Sequence, residues 1–344
     1  MRSFTVTIFV LICFFSVNGQ EAFQSHFFNN LIHINPAYTG VMDESYKIGA
    51  NFRSQWYNPL NSDDFRSYGF NAEMKTHIRN EDYYGLGMYI SNEESGTSDF
   101  QQTSFHGAFS YIKMLSYDRS SSTYITAGTN FGARSYQYDP VSFWFGNQFD
   151  ISDLVVNTNL PSGEPNEIIQ GNSSGLILNI GAGTSFFHST KSWSIYGGLG
   201  INHVNQPRYN VGLSNEVIPM TYNSNIGGSI SINNNQMFIP TLLWIKHGTH
   251  NSFCPGLQFR VTNQDDDDIA FRVGLLSRFT NQLNGDNIGI LTMLEYHKAT
   301  LGFSYELTLS DVETYNNRSG GFELSFNYRF ATVQKRVGIN CPKF

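Results

Sequence analysis

The sequence is short of charge and nearly without cysteine. Asp, Glu, Lys and Arg make up 14% of its 344 residues, against about 25% in an ordinary soluble domain. A heavily solvated surface is hard to build from so few charges. The net charge of −7 argues against a nucleic-acid surface, which is normally basic. Three cysteines, one of them in the leader described below, exclude a disulfide scaffold. A long apolar run is missing as well. Beyond residue 19 no stretch approaches the about 18 residues that a membrane helix requires, and the mean hydropathy is −0.28. Specific catalytic spacings are absent too. The chain has no nucleophile elbow, phosphate loop or metalloprotease helix. It is therefore read as a non-enzyme without cofactor or metal, an outer-membrane hydrolase being the form an enzyme would take.

What the chain does have is rings. Aromatic residues reach 15%, with 29 Phe and 19 Tyr, and they fall at every second position. Near the C-terminus, Phe322, Leu324, Phe326, Tyr328 and Phe330 alternate with Glu323, Ser325, Asn327 and Arg329. Successive side chains of a strand point to opposite faces, so one face is apolar and the other polar. A secreted β-sandwich could carry that pattern. An outer-membrane barrel carries it more naturally, with the apolar face on lipid and the polar face on a wet lumen.

The start of the chain is read as a secretory leader. Arg2 precedes an apolar run from Phe4 to Phe15, and Gly19 ends the segment, so residues 1–19 are expected to be removed. Residues 20–44 are expected to form a periplasmic lead-in, 45–330 the barrel, and 331–344 a basic periplasmic tail with Lys335, Arg336 and Lys343.

Alternation predicts five strands near 45–57, 66–76, 83–92, 101–115 and 123–136. The first would put Tyr46, Ile48, Ala50, Phe52 and Trp56 on one face, with Ser54 as the exception. Gly85 and Gly87 in the third suggest a bend or close packing of an inner side chain. Nine more strands are expected near 174–186, 191–202, 219–232, 236–246, 252–263, 268–280, 285–296, 299–308 and 320–330. The result is an all-β, single-chain barrel of 14 antiparallel strands, an even number as expected for such a protein. With both ends in the periplasm, the longest connection, 137–173, faces outside. Asp265–Asp268 reads as a solvated periplasmic turn rather than a calcium site, since its spacing lacks the EF-hand pattern. His247 and His250 read as part of a polar outer loop.

The segment Asn35-Pro36-Ala37-Tyr38-Thr39-Gly40 closely resembles the mature N-terminal region of the PorP/SprF family of the Bacteroidetes type IX secretion system. Arg53-Ser54-Gln55-Trp56, Gly85-Leu86-Gly87, Gly302-Phe303-Ser304-Tyr305-Glu306 and Glu323 in the final strand follow in the family's order. Cys341-Pro342-Lys343-Phe344 resembles the family's ending. One departure is that the usual Gly-Ser-His-Glu-Ile appears as Gly320-Gly321-Phe322-Glu323-Leu324. The resemblance implies a 14-stranded outer-membrane barrel. It also implies work with a large secreted cargo or adhesin, in some members one needed for gliding.

Partners implied in this way are the cargo, a periplasmic secretion or motility component and the membrane lipid, with no nucleic acid. The expected cargo contacts lie on the long outer loop: Tyr136, Tyr138, Asp139, Phe143, Trp144, Phe145, Phe149, Asp150 and Asp153. Exposed rings make good interface anchors, although the same rings could pack on the rim or plug the lumen. Arg53, Glu73, Lys75, Arg134, Arg260 and Arg272 are expected to face inward. They would tune selectivity in a porin, the alternative function, or pair with one another in a closed barrel. Cys254 and Cys341 are expected not to form an obligate disulfide.

Overall fold

The computed structural model describes residues 26–57, 64–78, 82–96, 100–139, 146–150, 155–157, 175–211, 214–263, 269–281, 284–310 and 318–330. Fourteen antiparallel strands close into a barrel. They are β1 (Tyr46–Gln55), β2 (Phe65–His77), β3 (Tyr83–Ser95), β4 (Phe100–Tyr117), β5 (Ser121–Gln137), β6 (Ile177–Thr190) and β7 (Trp193–Asn202), followed by β8 (Thr221–Ser231), β9 (Gln236–His247), β10 (His250–Thr262), β11 (Ile269–Thr280), β12 (Asn284–Tyr296), β13 (Ala299–Thr308) and β14 (Ser319–Phe330). Each strand pairs with the next in sequence. The seam pairs β1 with β14, Tyr46 opposite Phe330 and Gln55 opposite Gly321. Closure removes every unpaired strand edge, the condition a sheet must meet in lipid. The expected strands are all present, with edges moved by a few residues. Two short ribbons stand outside the wall, Phe149–Asp150 with Val155–Val156 and Arg208–Val211 with Ser214–Val217.

The two-residue period sorts the side chains as expected. On β14, Glu323, Ser325 and Asn327 are buried inside while Leu324, Phe326 and Tyr328 are exposed outside. Rings gather at both rims. Tyr46 stacks on Phe330 at 5.3 Å and Tyr328 on Phe330 at 5.7 Å at the short-turn end. Phe52 meets Tyr68 at 5.2 Å and Phe322 at 5.8 Å toward the long-loop end. Such girdles sit at the two membrane–water interfaces.

Two expectations change inside the barrel. The first concerns the lead-in. From His26 onward it runs through the lumen as a plug and leaves at the short-turn end, where the Ser45 carbonyl accepts from the Lys75 amide at 2.8 Å. Its one helix, α1 (Leu31–Ile34), lies between 3-10 turns at Phe27–Asn29 and Pro36–Tyr38. Pro36 cannot continue a helix from Asn35, whose extended backbone instead lets its side-chain oxygen accept from Ala37 N–H at 2.9 Å.

The second concerns the wet lumen. Inward residues of β9–β12, including Leu243, Cys254, Leu276, Leu291 and Met293, join Phe27, Phe28, Leu31, Ile34 and Tyr38 in one buried apolar cluster. Leaving such surfaces in water would be costly, so plug and wall cover each other. Cys254 is a free thiol inside this cluster. The leader, Asp265–Asp268, the tail and its Cys341, Pro342 and Phe344 lie outside the described residues.

Candidate functional site

The Asn35–Gly40 motif is the centre of the plug, and its seat is assembled from five strands. The Thr126 hydroxyl on β5 donates to Ala37 O at 2.8 Å, and the Ser110 hydroxyl on β4 to Thr39 O at 2.6 Å. On β8, Asn223 donates to Ile34 O at 2.8 Å and Asn225 to the Tyr38 hydroxyl at 2.9 Å. Asn35 donates to Thr184 O on β6 at 3.1 Å. The carboxylate of Glu73 on β2 accepts from Gly40 N–H at 2.9 Å. A plug in a membrane-spanning barrel has few waters to satisfy its backbone, so the wall supplies the partners.

Glycine makes room for this approach. A side chain on Gly85 of β3 would overlap the Thr39 carbonyl, and one on Gly128 of β5 would stand 2.5 Å from the Pro36 oxygen. Close packing at Gly85 and Gly87 was legible from the sequence. What packs on Gly85 is plug main chain, and on Gly87 the side chains of Ile32 and Thr39. Gly40 turns the chain at φ 74°, which glycine permits at little cost.

The inward charges hold the plug and one another. Lys47 Nζ donates to Asn29 O at 2.8 Å and to Glu73 at 3.0 Å. Lys75 Nζ donates to the Met42 carbonyl. Arg53 makes a two-pronged contact with Glu306 at 2.5 and 2.9 Å, and Glu323 lies 3.7 Å away. Arg260 and Arg272, on neighbouring strands, share Glu295. Arg134 Nη1 donates to the Tyr136 hydroxyl at 3.2 Å. These are the paired networks expected of a closed barrel. His26, at the head of the plug, donates its backbone N–H to Glu323 at 3.1 Å, and its ring bonds Ser325 at 2.7 Å.

Beyond the plug, toward the long-loop end, lies a cavity of about 510 Å³. Phe27, Asn30, His33 and Ile34 of the plug line one side of it. Arg53, Gln55 and Trp56 of the second family motif also line it, as do His247 and His250. Trp56 departs from expectation. It leaves the strand with φ 61° instead of continuing the lipid-facing row. Ser54, the exception on that face, is buried because its hydroxyl donates to Asp64 at 2.5 Å. Those histidines end β9 and begin β10, and His247 bonds Thr221 at 2.6 Å.

The expected cargo contacts divide. Tyr136 and Tyr138 are buried. Tyr136 packs with Ile177 and Ile218 and meets Phe100 at 5.8 Å, so this ring packs on the rim. Asp139, Phe149 and Asp150 are exposed. Phe143, Trp144, Phe145 and Asp153 lie outside the described residues. Sequence reasoning missed Ser110, Thr126, Asn223 and Asn225. The inward glycines on neighbouring strands were the signal that a backbone passes there.

A toluene transporter of Ralstonia pickettii, TbuX, has 10% identity over 87% of this chain and 93% of its own, with a TM-score of 0.47. A FadL homologue of Pseudomonas aeruginosa has 10% identity over 86% and 93%, with a TM-score of 0.48. A monoaromatic hydrocarbon channel, the TodX deltaS2S3 mutant, has 9% identity over 88% and 94%, with a TM-score of 0.52. At 9% identity the likeness to the last of these concerns the barrel fold alone. No curated protein matches the chain. Residues 16–328 match the family described as type IX secretion system membrane protein PorP/SprF. The chain belongs to the PorP/SprF family: it is an outer-membrane β-barrel with loops at the cell surface and a transport or secretion role in the type IX system.

Proposed function

We propose that this barrel is a non-covalent partner that delivers or retains a large type IX cargo, such as a surface adhesin, in some settings for gliding. The work is binding, and no covalent step is required. The observation that carries this reading is the plug. A segment hydrogen-bonded to eight strands and packed against an apolar wall is a poor start for a general solute pore. Diffusive porins need a polar, water-filled channel. The filled lumen directs attention to the surfaces at its ends.

In this proposal the outer rim selects the cargo, led by the connection 137–173. Its exposed Asp139, Phe149 and Asp150 combine an anchor with charges that exclude wrong partners. The basic tail 331–344 is proposed to meet a periplasmic secretion or motility component. The test removes residues 146–169, closes the gap with a short polar linker, and measures surface-retained cargo beside heat-modifiable gel mobility. Normal mobility with lost cargo is expected. Normal mobility with full cargo retention rejects the loop as a selector. Solute conductance by the intact barrel in planar bilayers, without cargo on affinity capture, rejects the cargo role.

A further inference from the structure

The cavity above the plug has no part in the reading just given. We propose that it is a binding site for a neutral carbohydrate. Its volume of about 510 Å³ falls within the roughly 300–1,000 Å³ range of small-molecule sites. One wall, formed at the ends of β1, β2 and β4, brings the rings of Trp56, Phe65 and Phe100 beside the amides of Gln55 and Gln102. Trp56 is placed there by a deliberate turn. Its φ of 61° is one that bulky residues seldom adopt. Its amide is still satisfied by Gly320 O at 2.8 Å, and its ring meets Phe65 edge-on at 5.2 Å.

The two glutamines add a second observation. Gln55 Oε1 accepts from Arg53 at 3.3 Å and Gln102 Nε2 donates to Glu93 at 3.3 Å. The amide nitrogen of Gln55 and the amide oxygen of Gln102 are then left to offer a donor and an acceptor to a molecule in the cavity they line. Neighbouring hydroxyls of a sugar ring match such a pair, and the C–H face of the same ring can lie on an aromatic side chain.

Other classes fit less well. The arginines of the lining are already matched: Arg53 by Glu306, Arg66 by Asp64 and Arg278 by Asp286. A strongly ionic ligand would find no excess of opposite charge. A hydrocarbon would leave the remaining amide atoms of Gln55 and Gln102 without exchange for lost water. An extended peptide gains affinity from main-chain pairing at a free strand edge, and the closed barrel has none.

The test is isothermal titration of the detergent-solubilised full chain with maltotriose, cellotriose and chitotriose. A parallel arm uses delipidated surface polysaccharide from the producing cells, and a third an uncharged tetrapeptide of Gly, Asn and Ser. Saturable binding in a sugar arm is expected. Binding of a free trisaccharide points to sugars from the medium, and binding of the polysaccharide alone to a surface glycan. Trp56→Ala should weaken binding about tenfold, the scale of one lost aromatic contact, and Gln102→Ala about fivefold. Gln55→Ala serves if either fails the heat-modifiability check. No binding in either sugar arm by a folded barrel overturns the proposal. So does binding of the tetrapeptide alone, or sugar affinity unchanged in the folded variants.

Discussion

The two halves of the lumen are made by the same alternating strands and end up opposite in character. Around residues 35–40 the inward positions include Gly85 and Gly128, and a second stretch of chain lies against them. Nearer the long loops the inward positions hold Arg53, Gln55 and His247, and the walls stand apart around a cavity. Alternation decides which side chains face inward. Their size decides whether the space is filled by backbone or left for a ligand. One barrel therefore has a sealed half and a receptive half, divided by the short helix of the plug.

The strongest way to break that contrast is to remove the seal. Deleting residues 26–44 should give either a barrel that conducts steadily in planar bilayers or a chain that no longer assembles. An assembled deletion protein as silent as the intact one would show that the plug does not close the lumen. Next in size is Arg53→Ala, which leaves Glu306 and Glu323 without their cation at the level of the dividing helix. The cost should be about 3–5 kcal/mol, the scale for breaking a buried pair, read as a lower temperature of heat-modifiable unfolding. An unchanged transition would mean that water reaches this network.

A smaller change sharpens the contrast from the other side. Gly128→Val puts carbon where the Pro36 carbonyl sits and should cost about 1–3 kcal/mol, as overpacking does. Proteolysis of the plug should rise with it, while the outer cavity keeps its lining.

Much of this architecture could be read from the residues. All 14 strands were visible because lipid on one side and a lumen on the other impose a strict period on residues such as Phe322–Phe330. The plug was not, because nothing in residues 26–45 has a period. Its turns are set by Asn35, Pro36 and Gly40, and its burial depends on partners such as Asn223 and Glu323 far along the chain. The apolar inner face of β9–β12 was obscured for a related reason. Leu243 and Leu291 break the polar row only because Leu31 and Phe27 come to cover them. Tyr136 and Tyr138 were ambiguous because a ring before a loop can face the partner or the rim.

His26 hydrogen-bonds Glu323 and Ser325, 297 and 299 positions further along the chain, beside the seam where β1 meets β14. The earliest described residue is thus clasped by the last strand to be synthesised. Strands completed before β14 can form a curled, open sheet, but they cannot finish the grip on the plug. The grip on the head of the plug and the closing of the wall therefore depend on the same strand, and a barrel cut short before β14 would lack both.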